Sequence, residues 1–413
     1  MTIDSSDGQP TEVPARPGPM AGVRVVEVAA WVAAPAAGLI LADWGADVVK
    51  VEPFNGDPAR GMVTLGPLGI NPAFEFDNRG KRSIALDIGT TDGISLLLEL
   101  VSDADVFITN LRPSTLESLT IDPDAMLERF PALVYASVTG FGHASPYRNR
   151  PSYDIGGFWA RSGGAASHSV ENGPPPTLRG GYGDHITAVT LAGGISAALF
   201  DRENTGLGRH VTTSLARVGV YAVGQDFNVK RRSDITFPMG NPRNVAGNPL
   251  MNCYQANDGR WFWLLGLQPD RHWPIVLAAI DRLDLADDER FASLADRRQH
   301  SRELIIELDE TFATLGRDEW EARFIEHGVW YEPVLSVGEA LLDPIIQNTG
   351  AFIDVAGPDG PIPGIASPVD FVGSALAPAL PVPEHGQHTD EILQELGHEW
   401  DEIIDWKIGG AVL

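Results

Sequence analysis

Two short segments of the 413-residue chain carry side chains suited to covalent chemistry: Tyr153-Asp154, and Gly183-Asp184-His185, whose Asp184 lies thirty positions beyond Asp154. Glycine pairs at Gly163-Gly164 and Gly180-Gly181 stand between them. Glycine concentrates where backbone must approach a ligand closely or take a positive φ. An aspartate among such glycines could face a ligand held close to the backbone. The same residue types also build ordinary turns and helix N-caps, and Asp184 stands just ahead of the run ITAVTLAGGISAALF. Capping and catalysis are compatible readings of it. His185 reads as a first-turn helix residue and His143 as a solvent-exposed loop residue.

These residues need a scaffold. Residues 23–28 (VRVVEV), the apolar stretch AAPAAGLILADWG closed by Gly45, and ADVVKVE form a strand, a helix and a second strand. The pattern recurs: Thr91 as N-cap with Asp92 in the first turn of DGISLLLELVSD, then the strands DVFIT and LVYASV. Four continuously apolar strands alternating with helices predict a parallel, doubly wound sheet buried on both faces. The Tyr153–Gly194 stretch is rich in glycine and proline, and a long helix continues through LAGGISAALFDRENTG. After Phe227 the texture changes. CYQANDGRWFWLLGL carries an NDG hairpin signal between two strands, and SRELIIELDETFATL and DEWEARFIEHG read as helices. A further helix is expected from His388 through Leu396. The expected organisation is a disordered tail over 1–19, a large α/β domain over 20–226, a smaller α+β domain over 227–333, and a linker returning to the large domain over 334–413.

Composition removes several functions. A net charge of -26, from 56 acidic against 30 basic residues, opposes binding to nucleic-acid phosphates. The first βα turn, AAWVAAPAAG, lacks the G-x-G-x-x-G that a nicotinamide or flavin dinucleotide needs. The ten histidines are scattered, and Cys253 is the only cysteine, so neither metal chemistry nor a disulfide has positive support. The longest uncharged apolar run is short and holds Pro35 and Gly38, whereas a bilayer span needs about 20 residues. A cytoplasmic protein with no membrane or nucleic-acid partner is expected.

Longer motifs go further. MAGVRVVEVAAWVAAPAAGLILADWGADVVKVE, NRGKRSIALD, ADVFITNLRP, LVYASVTGFG, GDH before AGGISAAL, and the closing HTDEILQELG occur in that order. In them the chain resembles the class III CoA-transferases, which include formyl-CoA transferase and carnitine CoA-transferase, together with their relative α-methylacyl-CoA racemase. The resemblance implies a Rossmann-like large domain, an intertwined ring-like homodimer, and coenzyme A as acyl-CoA co-substrate with a carboxylic acid as second substrate. It also implies Asp184 as the catalytic aspartate, supported by Tyr153, Asp154, Gly183 and Gly247.

By the same resemblance, coenzyme A runs along Trp31, Val32 and Ala33, Arg60, Lys81, Leu86, and Asn110, Leu111 and Arg112. Three contacts do not carry over, because formyl-CoA transferase has glutamine where Val32 stands and arginines where Pro53 and Ser118 stand. Arg60, Lys81, Arg82 and Arg112 remain as compensating cations. The matching region for that enzyme's mobile glycine run is the loop from Met239 to Leu250, with Gly247 at its centre. The racemases place a histidine where Tyr153 stands, and a phenol with a pKa near 10 is a poor acid/base partner near neutrality. Transfer is therefore preferred over racemisation or epimerisation, and over a non-catalytic acyl-CoA-binding role. The segments YDIGGFWARSGG, GYGDH and NPLMNCYQANDGRWFW resemble most the branch acting on aromatic or branched 2-hydroxy acids, with Phe158 and Trp159 as candidate acyl-pocket residues.

Overall fold

The computed structural model describes residues 17–62, 71–170, 173–235, 242–357, 359–374 and 379–413. Residues 1–16 of the expected tail, and 239–241 of the expected glycine loop, lie outside them.

The chain divides into two compact units, the first built from the described residues of Met1–Ala165, Thr177–Ile235 and Gly350–Leu413. Its centre is a six-stranded sheet of β1 (Arg24–Val28), β2 (Asp47–Glu52), β3 (Arg82–Ala85), β4 (Val106–Thr109), β5 (Val134–Thr139) and β6 (His210–Ser214), in the order β3-β2-β1-β4-β5-β6. Every pairing is parallel, with Val26 of β1 opposite Val49 on one side and Phe107 on the other. All six residues of β5 are buried, as a strand covered on both faces requires.

Alternate side chains feed two cores. Val25, Val48, Val106, Ile108 and Ala136 pack under α1 (Ala33–Asp43) and the long helix Tyr182–Thr205, which contributes Ala188, Leu191 and Ile195. Val26, Val49, Ile84 and Phe107 pack under Leu96 and Leu97 and under the carboxy-terminal Ile392, Leu393 and Ile403. The expected parallel sheet is present, with two more strands than the four expected. β3 has only four residues, and the polar HVTTS of β6 lies on a sheet edge, so neither has the long apolar run that announces a covered strand. Thr90, not Thr91, caps the helix Thr91–Ser102 by accepting from Gly93 N. A second carboxy-terminal helix, Trp400–Gly409, follows the expected one.

The strand order reverses between β1 and β4, so the loops leaving their carboxyl ends flank the crevice where open α/β sheets bind ligands. Residues 29–32 and Asn110-Leu111-Arg112 are those loops.

The second unit comprises the described residues of Ala166–Pro176 and Thr236–Thr349. β7 (Met251–Gln255) and β8 (Trp261–Leu265) form the expected hairpin around Asn257-Asp258-Gly259, with Gly259 at φ 80. A short β9 (Tyr331–Pro333) completes the sheet. Tyr254, Phe262, Phe312, Trp320 and Phe324 form its aromatic core under the expected helices Ser301–Phe312 and Arg317–His327. Among the described residues no helix is long and apolar enough to cross a membrane.

Candidate active site

The long helix starts at a crowded point. Gly181 is its N-cap residue at φ 81, a left-handed conformation that favours glycine. A β-carbon at Gly183 would fall 2.6 Å from the Phe158 ring, so glycine alone allows this approach. Asp184 stands inside the first turn with no cap hydrogen bond, which corrects the capping reading. Its carboxyl is half-buried.

Asp154 reaches the same turn from another element. It begins a π-helical segment, Ile155–Ala160, a rare geometry that recurs at functional sites. Asp154 is 6% exposed; its Oδ1 accepts from Ile155 N at 2.7 Å and its Oδ2 from Gly183 N at 3.2 Å. Beside it, Tyr153 is exposed and meets the Trp31 indole edge to face at 5.7 Å. The Tyr153-Asp154 pair thus bridges the helix that carries Asp184 and the first βα turn.

That turn is tightly held. Trp31 has φ 70, unusual for a bulky residue and in need of external support. Asp57 Oδ1 accepts from Trp31 N at 3.1 Å, and the Asn110 amide clamps Ala30 from both sides, accepting from its N–H at 3.1 Å and donating to its carbonyl at 2.6 Å. Behind them, Lys50 Nζ donates to Glu27 Oε1 and to Ala29 O, both at 3.1 Å, and pairs with Asp57 Oδ2 at 2.9 Å. Lys81 Nζ donates to Glu27 Oε2 at 2.8 Å, Pro35 O at 2.8 Å and Asn78 Oδ1 at 2.9 Å.

Several residues expected to touch coenzyme A are therefore committed elsewhere. Lys81 and its three partners lie in the interior, so its ammonium does not face a phosphate. Leu86 is a core side chain whose N–H donates to Glu52 O. Arg60 holds Glu52 through two hydrogen bonds, at 2.6 and 2.8 Å, and lies 4.3 Å over the Phe74 ring; Arg82 holds Asp47 in the same way. Asn110 braces the turn. Arg112 is exposed at the start of the helix Pro113–Ser118, with Leu111 half-buried beside it. Val32 and Ala33 open α1. Phe158, under Gly183, is core rather than pocket, and His143 is half-buried against His210 at 4.9 Å rather than exposed. Gly247 belongs to the second unit and has open space around it.

The electrostatics single out one carboxyl. Burial, then the charge of Asp154, push Asp184 up to about 7, against the lowering effect of His185. By contrast Glu52, for all its burial, is held down to about 2 by Arg60, Lys50 and Ser83. The site concentrates negative charge around a carboxyl that can be either protonated or ionised near neutrality, which is what a reactive acid needs.

Three bracing residues escaped the motif reading, yet each had a signal. Glu27 and Lys50 each stand between two valines in the interior of a strand and sit opposite each other in the β1–β2 register. A charge buried in such a strand must be paired. Asp57 before Pro58 is an N-cap signature.

The sequence profile described as CoA-transferase family III matches residues 20–389. The chain belongs to the class III CoA-transferases. It is 31% identical over 392 residues to an (R)-2-hydroxy-4-methylpentanoate CoA-transferase of Clostridioides difficile, covering 94% of this chain and 97% of that one. A cinnamoyl-CoA:phenyllactate CoA-transferase of Clostridium sporogenes is 29% identical, covering 92% and 94%. A crystal structure of a CaiB/BaiF family protein from Brucella suis superposes with a TM-score of 0.80 at 30% identity, over 92% of this chain and all of that one. As a class III CoA-transferase, the protein is an enzyme whose family acts on CoA thioesters.

Proposed function

We propose that this enzyme exchanges coenzyme A between an acyl-CoA and a free carboxylic acid through covalent intermediates on Asp184. The supporting observation is a half-buried carboxyl at a glycine-built helix start, next to the crevice at the strand-order reversal. The carboxylate attacks the thioester carbonyl, the C–S bond breaks, and a mixed anhydride and free thiolate result. The thiolate then attacks the aspartyl carbonyl, the donor acid leaves, and an aspartyl-CoA thioester remains. An acceptor carboxylate attacks that thioester, forming a second anhydride and releasing the thiolate. The thiolate takes the new acyl group and frees Asp184. Each step trades one activated acyl bond for another, so no external energy source enters.

Each tetrahedral intermediate needs donors. Gly183 N–H is engaged by Asp154 and Tyr182 N donates to Arg179 O at 3.3 Å, which leaves the N–H groups of Gly181 and Asp184 for an oxyanion. Tyr153 in place of the racemase histidine, and His185 turned toward Asp77, favour transfer over α-proton exchange. Tyr153, next to Asp154, and Tyr182, two residues before Asp184, are 62% and 56% exposed and offer aromatic surface for an aromatic or branched 2-hydroxy acid. The two hydroxy-acid enzymes among the relatives support the same substrate class. Coenzyme A would follow Trp31, Val32, Ala33, Leu111 and Arg112. We place the enzyme in the cytoplasm as a homodimer; the outward face of the long helix, with Ile186, Val189 and a 75% exposed Phe200, is an apolar strip that a second copy would cover.

Incubation with an acyl-CoA followed by hydroxylamine should modify the Asp184 peptide alone. An unmodified peptide during turnover rejects the covalent scheme.

A further inference from the structure

Asp77 has no part in that scheme, yet it is 4% exposed at the end of α2 (Pro72–Asn78), directly against the start of the long helix. Its Oδ1 lies 2.9 Å from His185 Nε2. The neighbouring Phe76 ring meets the imidazole edge to face at 4.9 Å. On the remaining side the imidazole crosses Gly181, where a β-carbon would fall 3.0 Å from its Cε1. The ring is thus fixed by a carboxylate, an aromatic edge and a glycine, while its side chain keeps 36% of its surface exposed. A helix-surface histidine without a task does not need three constraints.

The position of this histidine matters because it follows Asp184 directly. Charges face it from three elements: Asp77 from α2, Asp184 from its own helix, and Asp154 from the π-helical segment. Lys81 and Lys50 act on Asp77 from behind, but both are already held by Glu27. The imidazole is therefore the cation closest in sequence to the nucleophile, set among three carboxyls.

We propose that Asp77 and His185 form a positioning couple for the nucleophile: the buried Asp77 keeps the imidazole oriented and charged beside Asp184, and that charge holds Asp184 as a carboxylate ready to attack. The proposal rests on Asp184 being the nucleophile. The direction of each titration agrees with it. Burial pushes His185 down, but the hydrogen bond to Asp77 and the charges of Asp77, Asp184 and Asp154 outweigh it and leave its pKa raised. Burial raises Asp77, and His185 opposes that rise; the positive imidazole likewise opposes the rise of Asp184.

The test is the pH dependence of kcat/KM for CoA exchange in the full-length enzyme, which reports groups of the free enzyme. His185→Gln and Asp77→Asn should each move the acid limb up by about one pH unit, the lower end of what a nearby opposite charge does to a carboxyl, and leave the alkaline plateau in place. His185→Lys, which restores a fixed cation, should return the limb to the wild-type position or below. Unmoved limbs in both neutral variants, or no recovery with lysine, overturn the couple. A second reading uses the unaltered enzyme: the His185 Cε1 resonance should titrate above the ordinary histidine value of about 6.5, and titration at or below it overturns the proposal even if the variants fail to fold. If Asp184→Ala exchanges CoA at the wild-type rate, the nucleophile assignment itself fails, an outcome distinct from an unmoved limb.

Discussion

Two clusters of charge in the first unit do opposite things. Behind the first βα turn, Glu27, Lys50, Asp57 and Lys81 pair in a network where every cation meets a carboxylate within 3.1 Å. At the start of the long helix, Asp77, Asp154 and Asp184 share a single imidazole. The balanced cluster stores no reactivity, because removing any partner leaves an uncompensated buried charge. The unbalanced one drives a carboxyl toward neutrality and makes it responsive to its surroundings. Balance ties the turn to its neighbours, and imbalance leaves the Asp184 carboxyl raised.

The sharpest way to break the contrast is to remove one member from each side. Asp184→Asn should lower kcat by at least about 10⁴-fold, the scale seen when a covalent nucleophile is lost, while coenzyme A binding and the melting temperature stay near wild type. A residual rate near wild type would deny Asp184 its role. On the balanced side, Lys50→Met should instead cost stability, about 3–5 kcal/mol in denaturant unfolding, because it strands Asp57 in the interior and leaves Glu27 with Lys81 alone. An unchanged unfolding midpoint would mean that the network is not closed.

Intermediate effects test how the two regions communicate. Asp57→Asn weakens the acceptor that holds Trp31 N–H at positive φ, and should raise KM for acyl-CoA about tenfold with a smaller change in kcat, the worth of one hydrogen bond to a charged group. Equal loss in both parameters would place Asp57 nearer the chemistry than the turn. The last test needs no mutation. In the proposed scheme Asp184 attacks only when ionised, and with its pKa at about 7 kcat/KM should rise with pH through that value and fall about tenfold per unit below it. A flat profile down to pH 5 would show that the carboxyl is not raised.

How much of this was legible beforehand differs between fold and site. The parallel sheet was readable because VRVVEV, DVVKVE, DVFIT and LVYASV are dominated by β-branched and other apolar residues, as covered strands are. β6 was not, because HVTTS on an edge lacks that signature. The motif residues Asp154 and Asp184 were found, and the glycines around them have a steric reason in Phe158 and His185. The charged groups assigned to coenzyme A fared worse: Lys81, Arg60 and Arg82 look from the sequence like free cations, and each is committed to a carboxylate brought from elsewhere in the chain.

The linear chain thus settled the class of fold, the family and the acid that stands at its glycine-rich centre, because local periodicity and contiguous motifs carry that information. Which charges cancel and which remain was decided in three dimensions. Asp77 lies 108 positions from His185, and Lys81 lies 54 from Glu27, so only folding could tell a lysine paired in the interior from an imidazole paired beside Asp184. Pairing over such separations depends on packing geometry: a charge in an apolar strand announces that it needs a partner, and the fold decides which one.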